Sequence, residues 1–152
     1  MGAFMAKKKK KRRMTGEAVI FDLEGRVLLV QQGEEGRGWE LPGGKVKKKE
    51  SLPEAVIREV KEETGVDVVP EQLVGVFYIP KENTYDWVVR CRLGDGEHVL
   101  KPNPPETLAA KFFAVDRLPK KMSGFTIDRI SDAREGTVHP LPVELTKKQW
   151  LG

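Results

Sequence analysis

Between Ser51 and Gly65 the chain carries a full set of helix signals, and three glutamates stand on one stripe of that helix. Ser51 can cap the N-terminus, and Glu54 three residues later completes a capping box. Pro53 falls in the first turn, where its missing N–H costs nothing. Gly65 is suited to end the helix in the left-handed conformation. At about 100° per residue, Glu59, Glu62 and Glu63 occupy i, i+3 and i+4 and share a face. Leu52, Val56 and Val60 form the neighbouring apolar arc, whereas Glu54, Arg58 and Lys61 lean outward. The three acids therefore stand at the edge of the buried stripe. Carboxylates so placed repel one another unless a cation joins them, and hard divalent ions prefer such oxygen ligands. Spacing alone leaves two readings open, a metal site and a solvated acidic face.

Around this helix the pattern is that of an α/β chain. Ala18–Phe21 and Val27–Gln31 are β-prone runs separated by the turn-like Asp22-Leu23-Glu24-Gly25-Arg26, which predicts a hairpin. Trp39-Glu40-Leu41 reads as a short strand stopped by Pro42-Gly43-Gly44, and Lys45–Glu50 as a charged loop. Further strands are expected at Leu73–Ile79, Asp86–Leu93 and Lys111–Val115, with a proline-marked loop from Pro102 to Pro105 before the last. Ile127, Ile130 and Ala133 have helical spacing and predict a second helix over Gly124–Arg134. Residues 136–152 carry little periodicity. Residues 1–14 read as a basic, disordered tail and 15–152 as a single domain.

The formal charge of +4 hides a division: Lys7–Arg13 is seven consecutive basic residues, and the remainder holds 20 basic against 23 acidic residues. The run reads as a solvated tail, with weak nucleic-acid contact as the sharper alternative. No apolar run approaches the roughly 20 residues of a membrane span. The lone cysteine, Cys91, excludes an internal disulfide and fits a reducing, cytoplasmic setting. Cys91 itself reads as a buried strand residue. His98 and His139 are isolated in the sequence and suggest no zinc site.

The segment Gly44-Lys45-Val46-Lys47-Lys48-Lys49-Glu50, then seven residues, then Arg58-Glu59-Val60-Lys61-Glu62-Glu63-Thr64-Gly65-Val66 matches every specified position of G-x5-E-x7-R-E-U-x-E-E-x-G-U, where U is bulky and aliphatic. This resembles the signature box of the Nudix hydrolase family, and Trp39–Gly44 is similar to the family's usual entry into it. Nine specified positions over 23 residues make a specific motif. The resemblance implies a Nudix-type α/β/α sandwich with a mixed β-sheet and a catalytic loop–helix–loop. It implies hydrolysis of a pyrophosphate bond with magnesium, manganese being able to substitute. Glu59, Glu62 and Glu63 would be the metal ligands, joined by the Gly43 carbonyl. Arg58 would orient Glu59, and Glu50 would support the metal site. A further loop acid often assists, and Glu106 is the candidate, with Glu97 and Asp95 behind it. The family commonly has glycine where Lys49 stands, which makes the conformation of that loop a point to check.

Signals for the substrate are weaker. Val88, Arg90 and Arg92 share one face of their strand; the arginines could grip phosphate or pair with acids. Tyr85 could stack on a base, while Trp39 is expected to pack. The family's marks for particular substrates are absent or displaced: Glu82 stands where ADP-ribose hydrolases often carry proline. The expected substrate is a nucleoside diphosphate linked to another moiety, such as ADP-ribose, a dinucleoside polyphosphate or a nucleoside triphosphate. The alternative is a non-catalytic Nudix-fold module that binds nucleotide or RNA. A monomer or homodimer fits either.

Overall fold

A computed structural model describes residues 10–33, 38–145 and the backbone of 150–151. Its central strand is β1 (Arg13–Phe21), which lies parallel to β6 (Thr84–Leu93) over a nine-residue register from Arg13↔Thr84 to Phe21↔Arg92. β5 (Val68–Ile79) runs antiparallel to β6 on its outer side, and β9 (Val143–Glu144) adds in parallel to β5. On its other side β1 is shared. β4 (Gly43–Lys45) covers Thr15–Glu17, and β2 (Val27–Gln32) meets β1 only at Phe21↔Val27. From there β2 turns to pair with β7 (Thr107–Phe113) and β3 (Trp39–Glu40). β8 (Met122–Ser123) and β10 (Trp150–Leu151) extend that arm. The mixed sheet therefore splays apart between β1 and β2, and the opening becomes the site described below.

Side-chain alternation sends successive residues to opposite faces. Ala18, Ile20, Leu28, Val89 and Cys91 pack with Val56 and Val60 of α1 (Leu52–Thr64). Val19, Val27, Leu29 and Val88 pack with Ile130 and Ala133 of α2 (Gly124–Glu135). One helix per face gives the expected α/β/α layering. Gly16 lets α1 dock closely, since a Cβ there would lie 3.0 Å from methyl carbons of both Leu52 and Val56. Among the described residues no helix is long and apolar enough to cross a membrane.

The capped helix forms as its sequence indicates. Ser51 accepts from the Glu54 amide, the Glu54 side chain accepts from the Ser51 amide, and Gly65 ends the helix at φ 80°. Several boundaries differ from expectation. β1 begins at Arg13 rather than near Thr15, because Asn83 and Val46 hydrogen-bond its first residues (Arg13 N to Asn83 O, 3.0 Å; Val46 N to Met14 O, 2.9 Å). Lys7–Lys9 of the basic run lie outside the described residues. Gly43 and Gly44 do not stop pairing but form β4 with Lys45. A Cβ at Gly43 would lie 2.3 Å from the Gly16 carbonyl oxygen, so these glycines mark a close backbone approach. β5 and β7 start earlier than their apolar runs, at Val68 and Thr107, and the segment after α2 contributes β9 and β10. His139, isolated in sequence, sits beside Asp132 (2.9 Å) with Phe77 at its ring edge.

Candidate active site

The three glutamates of α1 face a cavity of about 410 Å³ whose other walls are Gln32 and Gly33 at the end of β2 and the loop of Pro105, Glu106 and Thr107. Glu106 thus stands in the same cavity as Glu59, Glu62 and Glu63. Its loop is fixed against β2: Gly33 N donates to the Glu106 carbonyl at 2.7 Å, and a Cβ at Gly33 would lie 1.5 Å from the Pro105 carbonyl oxygen. Asp95 and Glu97 do not line this cavity.

Arg58 organises the acids. Its Nε and Nη2 grip Glu50 in a two-pronged bond (2.7 and 2.9 Å), and its Nη1 reaches Glu59 (2.8 Å) and Glu62 (3.3 Å). A fifth hydrogen bond, Nη2 to the Lys45 carbonyl at 3.0 Å, ties the guanidinium to β4. Such forked, charge-assisted bonds fix geometry as well as charge. Glu50 is held well below the usual carboxylate range, to about 2, chiefly by the Arg58 side chain and then by the Lys47 amide. Glu50 does not itself line the cavity. The Glu50 loop is a β-turn closed by Glu50 N to Lys47 O (3.0 Å), with Lys49 at the third position and φ 69°. A type II turn calls for glycine there, which is the physical reason for the family's preference noted above.

Glu63 is the α1 acid whose carboxyl is raised by its surroundings. Burial pushes its carboxyl up to about 8, the Gly43 amide opposes that rise (3.2 Å), and the nearby Glu59 and Glu40 add to it. Glu59 presses on Gly44, where a Cβ would lie 2.6 Å from its carboxyl carbon. The ladder also orients Gly43. Ala18 N bonds Pro42 O and Val46 N bonds Met14 O, with Gly16 opposite Gly44. By the alternation of an antiparallel ladder, both polar groups of Gly43 point away from β1. Its N–H meets Glu63, and its carbonyl shares that direction.

The donor set fits a hard divalent cation: four carboxylates and a backbone carbonyl, all oxygen, in a region where burial makes one carboxyl resist ionisation. As placed, no group of three His, Cys, Asp or Glu side chains among the described residues is set to hold an ion. Arg58 and the Gly43 amide engage the carboxylates instead.

A second chamber, about 830 Å³, opens where β1 and β2 part, and it shares Gln32 with the acid cavity. Leu41, Ile79 and Phe125 give it apolar wall, Glu17, Glu40, Glu82 and Asp86 give it acids, and Arg13, Lys45 and Lys121 give it cations. Asp86 is 6% exposed and accepts from Thr15 Oγ1 at 2.9 Å. None of these residues was singled out from the sequence. The available signal was phase: Glu17 alternates with Val19, and Asp86 with Val88, so both acids stand on a core-facing side of their strands. The residues expected to contact substrate are elsewhere. Arg92 pairs with Glu71 (3.1 Å), Arg90 lies over Phe21, and Tyr85 stacks on Tyr78 at 4.7 Å. Trp39 packs edge-on against Phe113, and Cys91 is buried, both as expected.

Comparison with known proteins agrees with this geometry. The family model described as NUDIX domain matches residues 11–132. A MutT-like protein of Streptomyces ambofaciens is 30% identical over 118 residues, covering 78% of this chain and 74% of that protein. The human 8-oxo-dGDP phosphatase is 33% identical over 140 residues, 84% of this chain but 42% of the human protein. The crystal structure of an ADP-ribose pyrophosphatase from Streptococcus suis superposes with a TM-score of 0.68 at 30% identity, covering 89% of this chain and all of that one. With the box, the sandwich and the acid cavity in agreement, the chain belongs to the Nudix hydrolase family.

Proposed function

We propose that this hydrolase cleaves the pyrophosphate bond of a nucleoside diphosphate linked to another moiety, with magnesium as its cofactor. The observation that carries the reading is the convergence of Glu59, Glu62, Glu63 and Glu106 on one cavity beside a chamber large enough to admit a nucleoside. Glu59, Glu62, Glu63 and the Gly43 carbonyl would hold the metal, which when bound neutralises phosphate charge and lowers the pKa of a water. The protein's own groups do the positioning. Arg58, braced by Glu50, sets the rotamers of Glu59 and Glu62. Glu106 faces them from a separate loop and would take a proton from the attacking water. The apolar wall of the second chamber excludes water from the nucleoside, and Asp86 offers it a buried acceptor for an N–H.

ADP-ribose and 8-oxo-dGDP come first as substrates, from the names of the similar proteins, followed by dinucleoside polyphosphates and nucleoside triphosphates. The test is a hydrolysis panel over these compounds with magnesium, with manganese and with chelator. Chelator should abolish turnover, and Glu62→Gln should do the same while leaving the fold intact, since Glu62 is half exposed. Turnover that persists in chelator, or in that variant, would overturn the reading.

A further inference from the structure

Three cavities adjoin one another through shared residues, and their charge differs from one to the next. The acid cavity shares Gln32 with the middle chamber. The middle chamber shares Arg13 and Lys45 with a third groove of about 380 Å³. That groove is lined by Lys10, Lys11, Arg12, Arg13 and Lys45, with Met14 and Val46 completing it. Five cations on so small a surface repel one another, and no ion pair among the described residues involves any of them.

The segment is held against the fold. Asn83 Nδ2 donates to the Lys10 carbonyl at 2.7 Å, and the Asn83 Oδ1 accepts from Tyr78. Arg12 lies over the Tyr85 ring at 5.3 Å, and Arg13 opens β1. These contacts fix the backbone of the run in a groove continuous with the nucleoside chamber. The middle chamber carries both signs, Glu17, Glu40, Glu82 and Asp86 with Arg13, Lys45 and Lys121, whereas every charged residue lining the groove beyond it is a cation. A further anionic group on a ligand in the middle chamber therefore meets its strongest attraction at this basic groove.

We propose that the Lys10–Arg13 and Lys45 groove binds a second phosphate group, carried on the ribose side of the substrate's nucleoside. This inference deepens the function proposed above and rests on its placement of the nucleoside. The shared chemistry is a ribose-linked phosphate, whether a terminal 3′-phosphomonoester or the first phosphodiester of a nucleotide chain. Exposed lysine and arginine contacts to phosphate are salt-dependent, and arginine adds planar two-point recognition.

The test is equilibrium binding of three non-hydrolysable probes to the full chain in magnesium. They are adenosine 5′-(α,β-methylene)diphosphate, the same compound with a 3′-phosphate, and the same compound extended by one 3′-linked nucleotide. The 3′-phosphate should tighten binding about tenfold at low salt, and the gain should shrink as salt rises. In Lys10→Ala/Lys11→Ala/Arg12→Ala the gain should fall below about threefold while affinity for the parent probe and the melting temperature hold. A gain for the extended probe alone assigns the groove to a nucleotide chain; a gain for both assigns it to the phosphate itself. Equal affinity for all three probes, or a gain that survives the triple substitution, overturns the proposal. Failure of the hydrolase reading would show separately, as unchanged turnover in Glu62→Gln.

Discussion

Replacing Lys49 with glycine should stabilise the protein. Lys49 holds φ 69° at the third position of the turn closed by Glu50 N to Lys47 O. A side chain in the left-handed region costs about 1–2 kcal/mol from the clash of Cβ with the following carbonyl. Glycine removes that clash but gives the unfolded chain more freedom, an opposing effect of about 0.5–1 kcal/mol. The net expectation is roughly 0.5–1 kcal/mol of added stability, or a melting point about 1–4 °C higher for a chain of this size. Two controls separate backbone strain from charge. Lys49→Ala keeps the Cβ, and so the strain, while removing the same charge from the Lys47–Lys49 run. Lys48→Gly places the glycine where φ is not positive and should gain nothing. Urea titrations of the three variants, with an unchanged slope, give the comparison. If Lys49→Gly is no more stable than Lys49→Ala, the strain argument is wrong.

Four further outcomes follow from the same geometry. Glu50→Gln should lower kcat roughly tenfold or more with little change in KM, because it loosens Arg58 and not the substrate; a pure KM effect would place Glu50 at the substrate instead. Glu106→Gln should cost about a hundredfold in kcat if the loop acid takes the proton, and a change under threefold would remove it from that role. Asp86→Asn should raise KM about tenfold and alter the ranking of nucleobases, since a buried acceptor becomes partly a donor; an unchanged base ranking across the substrate panel would count against the chamber. For pH, Glu50 has its folded value lowered from 4.5 to about 2. Its contribution is therefore present above pH 4.5 and is lost as pH falls towards 2; acid-unfolding curves of Glu50→Gln should be flatter across that window, and parallel curves would refute the assignment.

What could be read from the sequence was what local chemistry encodes. Ser51, Glu54 and Gly65 signal the helix through bonds made within a few residues, and the phase of Glu59, Glu62 and Glu63 places them together whatever else the chain does. The Gly43–Lys45 strand was hidden because glycine reads as a breaker. Here it serves the close approach of β4 to Gly16 and of Gly44 to Glu59, a tertiary demand that no local rule carries. The start of β1 was hidden for a similar reason: charge marks Lys10–Arg13 as solvated, while Asn83, about 70 residues away, supplies the bonds that hold it. Glu106 came from the family's habit of a loop acid, and Gly33 explains in structural terms how this loop reaches the site.

The chamber acids carry a more general point. Alternation along β1 puts Thr15, Glu17 and Val19 on one face, and along β6 it puts Thr84, Asp86 and Val88 on the same face. In each strand the residue farther along is core, packed with α2, and the earlier ones line a cavity. The period identifies the face but not the point along it where the covering helix stops. A carboxylate in core phase marks that point, because burying it under α2 would cost several kcal/mol without a partner. Two such residues on paired strands, at nearly the same height, therefore locate a polar opening in the core before any fold is known. Once the fold sets that opening between the acids of α1 and the cations of Lys10–Arg13, the order of charge along the cleft limits how a ligand can lie. In the proposed binding mode the diphosphate lies beside Glu59, Glu62 and Glu63, the nucleoside in the middle chamber, and the further phosphate in the basic groove.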